Sequence, residues 1–496
     1  MRVVAHAISG LAVMALLLGH GVFGSPAGLP LAMRVAAQQR PDRSTPPRLG
    51  PTPQLNLPAI AERRLSNGLP VWIVEAHEVP LVQVSLLVRT GGGDDPADQF
   101  GLASLTAAML DEGAGTRSAL DIADATEFLG ATLGASASFD VSAVRLNVPV
   151  ARLTAALPIM ADVVLRPTFP SEDLDRLRQE RLTALLQARD DAGSVASTAF
   201  ARRLFGDAHR YGAGLTGTRV TLEGFTAADL RAFHAASYQA SNALLIVAGD
   251  MTADAVLGLL ETHFGNWPGT GAVPARAPLA AAPQPAARQI HIVDMPGAAQ
   301  SQIRIGWVGV PRSTPEYFTL QVLNTVLGGS FTSRLNQNLR EEHGYSYGAS
   351  SRFDMRLAAG PFLAGAGVQT DKTAEALREF FNELNAIGEP IPADELDKAK
   401  NYVALSFPSE FETIGDLASS LEQMAVYGLP GRYFADYIAN IQAVTTTDVQ
   451  RAASIYIQPE RFIVVVAGDR AVIEPGIRTL GLGPVTVMSV AQAFGD

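Results

Sequence analysis

Three stretches of the chain carry residue types at spacings that chemistry uses. GYSYG (344–348) spells G-x-S-x-G around Ser346. That spacing presents a nucleophilic serine only on a sharp turn from strand to helix. The residues that follow, ASSRFD (349–354), read as continuing strand, so the match supplies no nucleophile. GAGLTG (212–217) spells G-x-G-x-x-G, a spacing used to cradle a dinucleotide phosphate. It follows the polar GDAHRY rather than an apolar strand, so it reads as a turn. The third stretch, GLASLTAAML (101–110), has helical spacing. Leu102, Leu105 and Met109 fall on one face, spaced for a core. Ser104, Ala107 and Ala108 fall on the other, where a solvated helix ordinarily shows Lys, Glu or Gln. Asp111 and Glu112 follow and read as solvated acids at the helix end.

Metal chemistry needs clustered ligands. Beyond residue 27 the histidines are His77, His209, His234, His263, His291 and His343, and no two lie within five residues of each other. There is no cysteine, which excludes disulfides, thiolate nucleophiles and thiolate metal sites.

The elements that hold these stretches occur twice. FTAADLRAFHAASYQASNALLIVAGD ends at Asp250, and VTTTDVQRAASIYIQPERFIVVVAGD ends at Asp469, 219 residues later. Asp229 and Asp448 share that offset. So do the alternating Val84, Leu86, Val88 and Ile303, Ile305, Trp307. ASASFD (135–140) echoes ASSRFD (349–354), and FPSEDLDRL (169–177) echoes IPADELDKA (391–399). Four matched segments in one order indicate two copies of one domain. ALLIVAG and FIVVVAG read as buried central strands, and VRLNVPV as a half-exposed one. Residues 171–191 read as a helix with Ser171 as its cap. The fold class is therefore α+β, each repeat a sheet covered by helices.

The chain has 496 residues, 47% of them apolar, with a net charge of −11 and no basic block. Disorder and a nucleic-acid partner are both excluded as readings. Arg2, an apolar run at 8–18 and small residues after it predict a signal peptide over 1–27 and hence export to a bacterial periplasm. A Pro-rich tether is expected at 38–58, a first domain at 59–268, a linker at 269–288 and a second domain at 289–496.

Two such repeats joined by a long linker resemble the insulinase family of zinc metallopeptidases (inverzincins), which includes pitrilysin and the mitochondrial processing peptidase. The resemblance implies a mixed, mostly antiparallel sheet in each repeat and a clamshell arrangement. Active members carry G-L-A-H-x-x-E-H-M-L, in which two histidines hold zinc and the glutamate activates water. Against that phrase, Ser104 stands for the first histidine, Ala107 for the glutamate and Ala108 for the second histidine. A third ligand, a glutamate on the later helix, corresponds to Ala184. The resemblance thus implies that this chain has no catalytic residue, metal or cofactor of its own.

LGGSFTSRLNQNLREEHGYSYGASS (327–351) is similar to the family's second-domain signature, whose Arg and Tyr, seven apart, contact bound peptide. Arg340 and Tyr347 match them. Gly328 and Gly329 are expected to close a helix in a left-handed cap. The implied function is a non-catalytic, peptide-binding subunit that works on unfolded peptides beside a zinc-bearing homologous partner. Two alternatives stay open: a non-proteolytic scaffold or peptide-binding protein of the same fold, and an active peptidase with unrecognised metal ligands.

Overall fold

The computed structural model describes residues 57–269 and 278–495, together with Gly50, Leu55 and Arg276. The expected signal peptide, nearly all of the expected tether and part of the expected linker lie outside the described residues.

The first sheet is built from β1 (Ala61–Arg64), β2 (Pro70–Glu75) and β3 (Leu81–Val88). A small hairpin follows, β4 (Gly113–Ala114) with β5 (Arg117–Ser118). The sheet is completed by β6 (Thr132–Ala137), β7 (Ser142–Pro149) and β8 (Ala243–Gly249). The second sheet contains β9 (Gln289–Asp294), β10 (Gln300–Val308), β11 (Ser346–Phe353), β12 (Pro361–Gln369), β13 (Ile463–Gly468) and β14 (Val485–Met488). The orders are β1-β2-β8-β3-β7-β6 and β11-β12-β10-β13-β9-β14.

Five strands correspond one to one: β2, β8, β3, β7, β6 match β9, β13, β10, β12, β11. In each set only the first pair is parallel. The sixth strand differs. β1 pairs antiparallel with β2, whereas β14 arrives from the far end of the chain and pairs parallel with β9. The repeat extends to single hydrogen bonds. Thr226 and Asp229 form a capping box on helix Ala227–Ser237, and Thr445 and Asp448 form the same box on helix Thr446–Tyr456. Each box satisfies orphan backbone donors at a helix start.

β8 and β13 are buried along their whole length, as their unbroken apolar runs require. Both faces are therefore covered at these central strands, and part of the cover is exchanged between repeats. Helix Ala192–Phe205 of the first repeat packs Val195, Ala199 and Phe200 against Val465 and Val308 of the second sheet. Its counterpart 222 residues later, helix Ile414–Tyr427, packs Ile414, Leu417 and Leu421 against Leu87 and Ile246 of the first sheet. Polar contacts follow the same route. Arg145 Nε donates to Glu422 at 2.9 Å, and Tyr427 Oη donates to Asp140 at 3.1 Å.

Two local expectations are corrected. Helix Ser171–Gln187 begins at Ser171, but its N-cap is Pro170 and no side chain caps it. Pro170 instead fixes the entry and offers its carbonyl to Leu174 N–H. Gly328 ends helix Tyr317–Leu327 at φ −159°, not left-handed. Glycine is needed there because an added Cβ would meet Ser351 N at 2.4 Å, where the helix end abuts β11.

Candidate functional site

The helix with the small-residue face spans Leu102–Ala108 and is held at both ends. Gly101 starts it at φ 102°, pressed so closely on Thr216 that a Cβ would sit 2.4 Å from its carbonyl oxygen. Asp95 accepts from the free N–H groups of Gly101 at 2.8 Å and Ala103 at 2.9 Å. Arg210 Nη2 holds Asp95 at 3.0 Å, with side-chain exposures of 1% and 0%. The guanidinium lies between the rings of Phe100 and Phe139 and gives its other donors to the carbonyls of Ala213, Gly214 and Leu215. Every donor of this sealed cation is aimed at an acceptor, the condition under which a buried charge is tolerated. Neither Asp95 nor Arg210 stands out in the sequence; the charged pair joins segments 115 residues apart.

Leu102, Leu105 and Met109 are buried as their spacing predicts. On the opposite face Ala107 is also fully buried, while Ser104 and Ala108 are half-buried. Ala184 is exposed on its helix and does not turn its side chain into protein. The residue of that helix which meets the small-residue face is Arg181, whose Nη2 donates to the Ser104 carbonyl oxygen at 3.0 Å. Its Nη1 is buried without a hydrogen-bond partner, and burial lowers its pKa from the ordinary guanidinium value. Among the described residues no carboxylate pairs with it. Nothing in the local pattern QERLTALL marks Arg181 out from the other arginines of the helix. Asp111 and Glu112 are not solvated acids: both are half-buried, Glu112 pairs with Arg176 at 2.6 Å, and burial raises the Asp111 carboxyl.

A zinc ion does not fit these residues. The face offers one hydroxyl and two methyl groups, none of them a good zinc ligand, and a fixed cation stands beside it. Among the described residues no group of three or more His, Asp or Glu side chains is placed to hold a metal.

The second candidate pair lies on the other sheet. β11 is the outer strand, paired only with β12. Its register slips between Ser346 and Ala349, which places a bulge at Tyr347–Gly348. A bulge re-aims the side chain it carries, and Tyr347 is 89% exposed. Ser346 holds the bulge: Gly348 N–H donates to its Oγ at 3.0 Å, and the Oγ donates to the Gly348 carbonyl at 2.7 Å. The G-x-S-x-G serine is thus a strand residue bonded to its own backbone. Arg340 lies in a single π-helical turn, Gln337–Glu342, at the approach to β11. Its guanidinium sits 4.6 Å from the Phe331 ring centroid and 3.1 Å from Glu341. Nothing in the sequence pattern marks out Phe331, which is 57% exposed.

Two family models match the chain in succession. "Insulinase (Peptidase family M16)" covers residues 71–204, and "Peptidase M16 inactive domain" covers 224–403. The chain belongs to the insulinase family. The first match contains the small-residue helix, and the second contains Arg340 and Tyr347. An uncharacterized zinc protease of Mycobacterium tuberculosis is 28% identical over 331 residues, 66% of this chain and 75% of that protein. One of Streptomyces coelicolor is 26% identical over 397 residues, 78% and 85%. Among solved structures, a peptidase M16 inactive domain from Pseudomonas fluorescens superposes with a TM-score of 0.73 at 28% identity, over 82% of this chain and 98% of that one. A protease from Helicobacter pylori gives 0.76 at 21% identity, over 83% and 100%, which supports the shared fold. The two-repeat α+β architecture is that of the insulinase family.

Proposed function

We propose that this insulinase-family chain is the non-catalytic, peptide-gripping subunit of an exported two-chain zinc peptidase. One contrast carries the reading. Ser104, Ala107 and Ala108 stand where the family's zinc helix needs its ligands, with Arg181 against them, while Arg340 and Tyr347 are exposed at the outer strand of the second sheet. A guanidinium offers a fork of donors to a peptide carbonyl. A phenol donates to an oxygen that gains charge during attack. Both assist a metal held elsewhere. The outer strands β6 and β11 each leave one row of backbone groups unpaired in their sheets, a template for an extended peptide. A homologous partner supplies the zinc in this reading, and the basic, apolar N-terminal sequence supports export.

The test is reconstitution. The chain, its co-purifying periplasmic partner and their mixture are assayed on an unstructured fluorogenic peptide, with metal analysis of each. The mixture is expected to cleave, the isolated chain to be inactive and free of stoichiometric zinc. Full activity from the partner alone, unchanged when Arg340→Ala or Tyr347→Phe chains are added, overturns the reading.

A further inference from the structure

A cavity of about 1010 Å³ lies between helix Ser171–Gln187, helix Ala192–Phe205, the loop at 212–220 and β10. Its character is double. Leu182, Leu185 and Phe494 give it an apolar wall, and Leu186 and Val220 stand at its edge with 65% and 71% exposure. Four arginines line it against two carboxylates, in a chain whose overall charge is −11.

Most of these charges are already matched. Arg219 pairs with Glu223 at 3.0 Å, and Arg202 pairs with Asp207 at 2.7 Å. Asp191 caps helix Ala192–Phe205 by accepting from Ser194 N–H at 2.8 Å. Arg189 stacks on Phe494, 5.1 Å from the ring centroid. Arg304 differs. Its donors reach only neutral acceptors: Ser197 Oγ at 3.2 Å, the Ile303 carbonyl at 3.0 Å and, more weakly, the Gly193 carbonyl at 3.5 Å and Gln302 Oε1 at 3.4 Å. No carboxylate lies within ion-pair distance of it among the described residues. Burial lowers its pKa, and the like charge of Arg352 adds to that, with Asp191 opposing. A half-buried guanidinium without a counter-ion, on the wall of an apolar cavity, is complementary to a carboxylate attached to an apolar chain.

We propose that this cavity seats the C-terminal carboxylate of an apolar-ended peptide on Arg304. The inference rests on the peptide-binding reading above and names its substrate class: chains with a free C-terminus. A carboxylate gains charge-assisted hydrogen bonds from Arg304, and the last apolar side chains leave water against Leu182, Leu185 and Phe494. The site lies apart from Arg340 and Tyr347, which do not line the cavity.

The experiment is fluorescence anisotropy on the full chain with a labelled heptapeptide, Gly-Ser-Gly-Ser-Ala-Leu-Leu, as the free acid and as the C-terminal amide. The acid is expected to bind about tenfold more tightly than the amide. Arg304→Met is expected to remove the preference and Arg304→Lys to keep part of it, with circular dichroism checking the fold. Leu185→Asp, which places a carboxylate in the cavity without touching β10, is expected to weaken the acid selectively. Arg340→Ala is expected to leave the preference intact, which separates this site from the peptidase reading. Equal binding of acid and amide, no binding of either, a preference that survives Arg304→Met, or decanoate binding more tightly than the peptide acid overturns the proposal.

Discussion

Arg181 Nη2 donates a hydrogen bond of 3.0 Å to the backbone carbonyl oxygen of Ser104. The bond fixes a cation from one helix against the small-residue face of another. Arg181 stays protonated under all ordinary conditions, and its Nη1 is buried without a partner. Ser104, Ala107 and Ala108 offer no good zinc ligand, and the guanidinium adds a fixed positive charge beside them. A divalent cation beside Arg181 would meet like charge in a partly desolvated setting, where repulsion over a few ångströms amounts to several kcal/mol even at an effective dielectric of about 20.

This leads to the first prediction. Ser104→His, Ala107→Glu and Ala108→His together are expected to restore only weak zinc binding. Adding Arg181→Gln is expected to tighten it by at least ~10-fold. Competition against a chromogenic chelator measures both. Equal affinities with and without Arg181 would show that the guanidinium does not control the site.

The second prediction concerns the helix's anchor. Asp95 and Arg210 form an ion pair closed to water. Removing one partner leaves the other charge buried and uncompensated, at a cost of about 3–5 kcal/mol. Asp95→Asn and Arg210→Met are each expected to lower the urea midpoint by that equivalent. Asp95→Asn keeps the shape of the side chain, so a loss within 0.5 kcal/mol would mean the carboxylate's charge is not needed there.

These two relationships mark the limit of what the sequence makes legible. The repeat is legible because it is written in apolar periodicity and capping residues, which are local. Val84, Leu86 and Val88 alternate, and β3 runs where they predict. Thr226 with Asp229 and Thr445 with Asp448 cap helices at both copies. The small-residue face is legible because its neighbours on both sides keep a helical phrase. Arg181 and the Asp95–Arg210 pair are not, because each depends on segments 77 and 115 residues apart meeting in space. Ala184, the position residue counting selects, is exposed on its helix, while Arg181 of the same helix reaches the Ser104 carbonyl. The outward aim of Tyr347 depends on a bulge, one extra residue in a register that no spacing rule displays.

A third prediction is pH dependence from His291. Burial, with the positive charge of Arg203 adding to it, lowers its pKa from 6.5 to about 4. Its Nδ1 meets Thr486 Oγ1 at 2.7 Å, and its Nε2 is buried without a partner. Below pH 6.5 the unfolded chain binds a proton that the folded chain refuses until about pH 4. Stability therefore falls as pH drops through that window, by about 3 kcal/mol in total. His291→Gln is expected to flatten this part of the profile. Urea unfolding of both proteins at half-unit steps from pH 7 to 4 measures the difference. Parallel profiles would show that His291 takes up its proton as readily in the folded chain.

The exchanged helices predict how the repeats unfold. Helix Ala192–Phe205 covers the second sheet and helix Ile414–Tyr427 covers the first. Arg145 with Glu422 and Asp140 with Tyr427 add polar ties across the same junction. Neither repeat retains a covered sheet without the other. Calorimetry is expected to show one transition. A protease site engineered into 270–275 and cleaved is expected to leave the two fragments co-eluting in gel filtration. Separation of the fragments, or two resolved transitions, would mean that each repeat keeps its own core closed.

The last prediction separates gripping from folding at the outer strand of the second sheet. Arg340 and Tyr347 are exposed and tie together no core elements. Arg340→Ala and Tyr347→Phe are therefore expected to change stability by less than about 0.5 kcal/mol. Their effect on a reconstituted peptidase should differ in kind. Tyr347→Phe removes one hydroxyl donor and keeps the ring, so a role at a developing oxyanion predicts a fall of about 10²–10³ in kcat with KM little changed. A role for Arg340 in holding the peptide backbone before and during reaction predicts that Arg340→Ala raises KM as well. Phe331→Leu removes the ring beneath the guanidinium and keeps an apolar side chain, so it is expected to give a weaker version of the Arg340 effect. Steady-state kinetics with the partner chain, beside thermal melts of each variant, measures all three. Variants that melt early and lose activity in proportion would show that these residues serve the fold alone. Full stability with divided kinetic effects is what direct contact with the peptide requires.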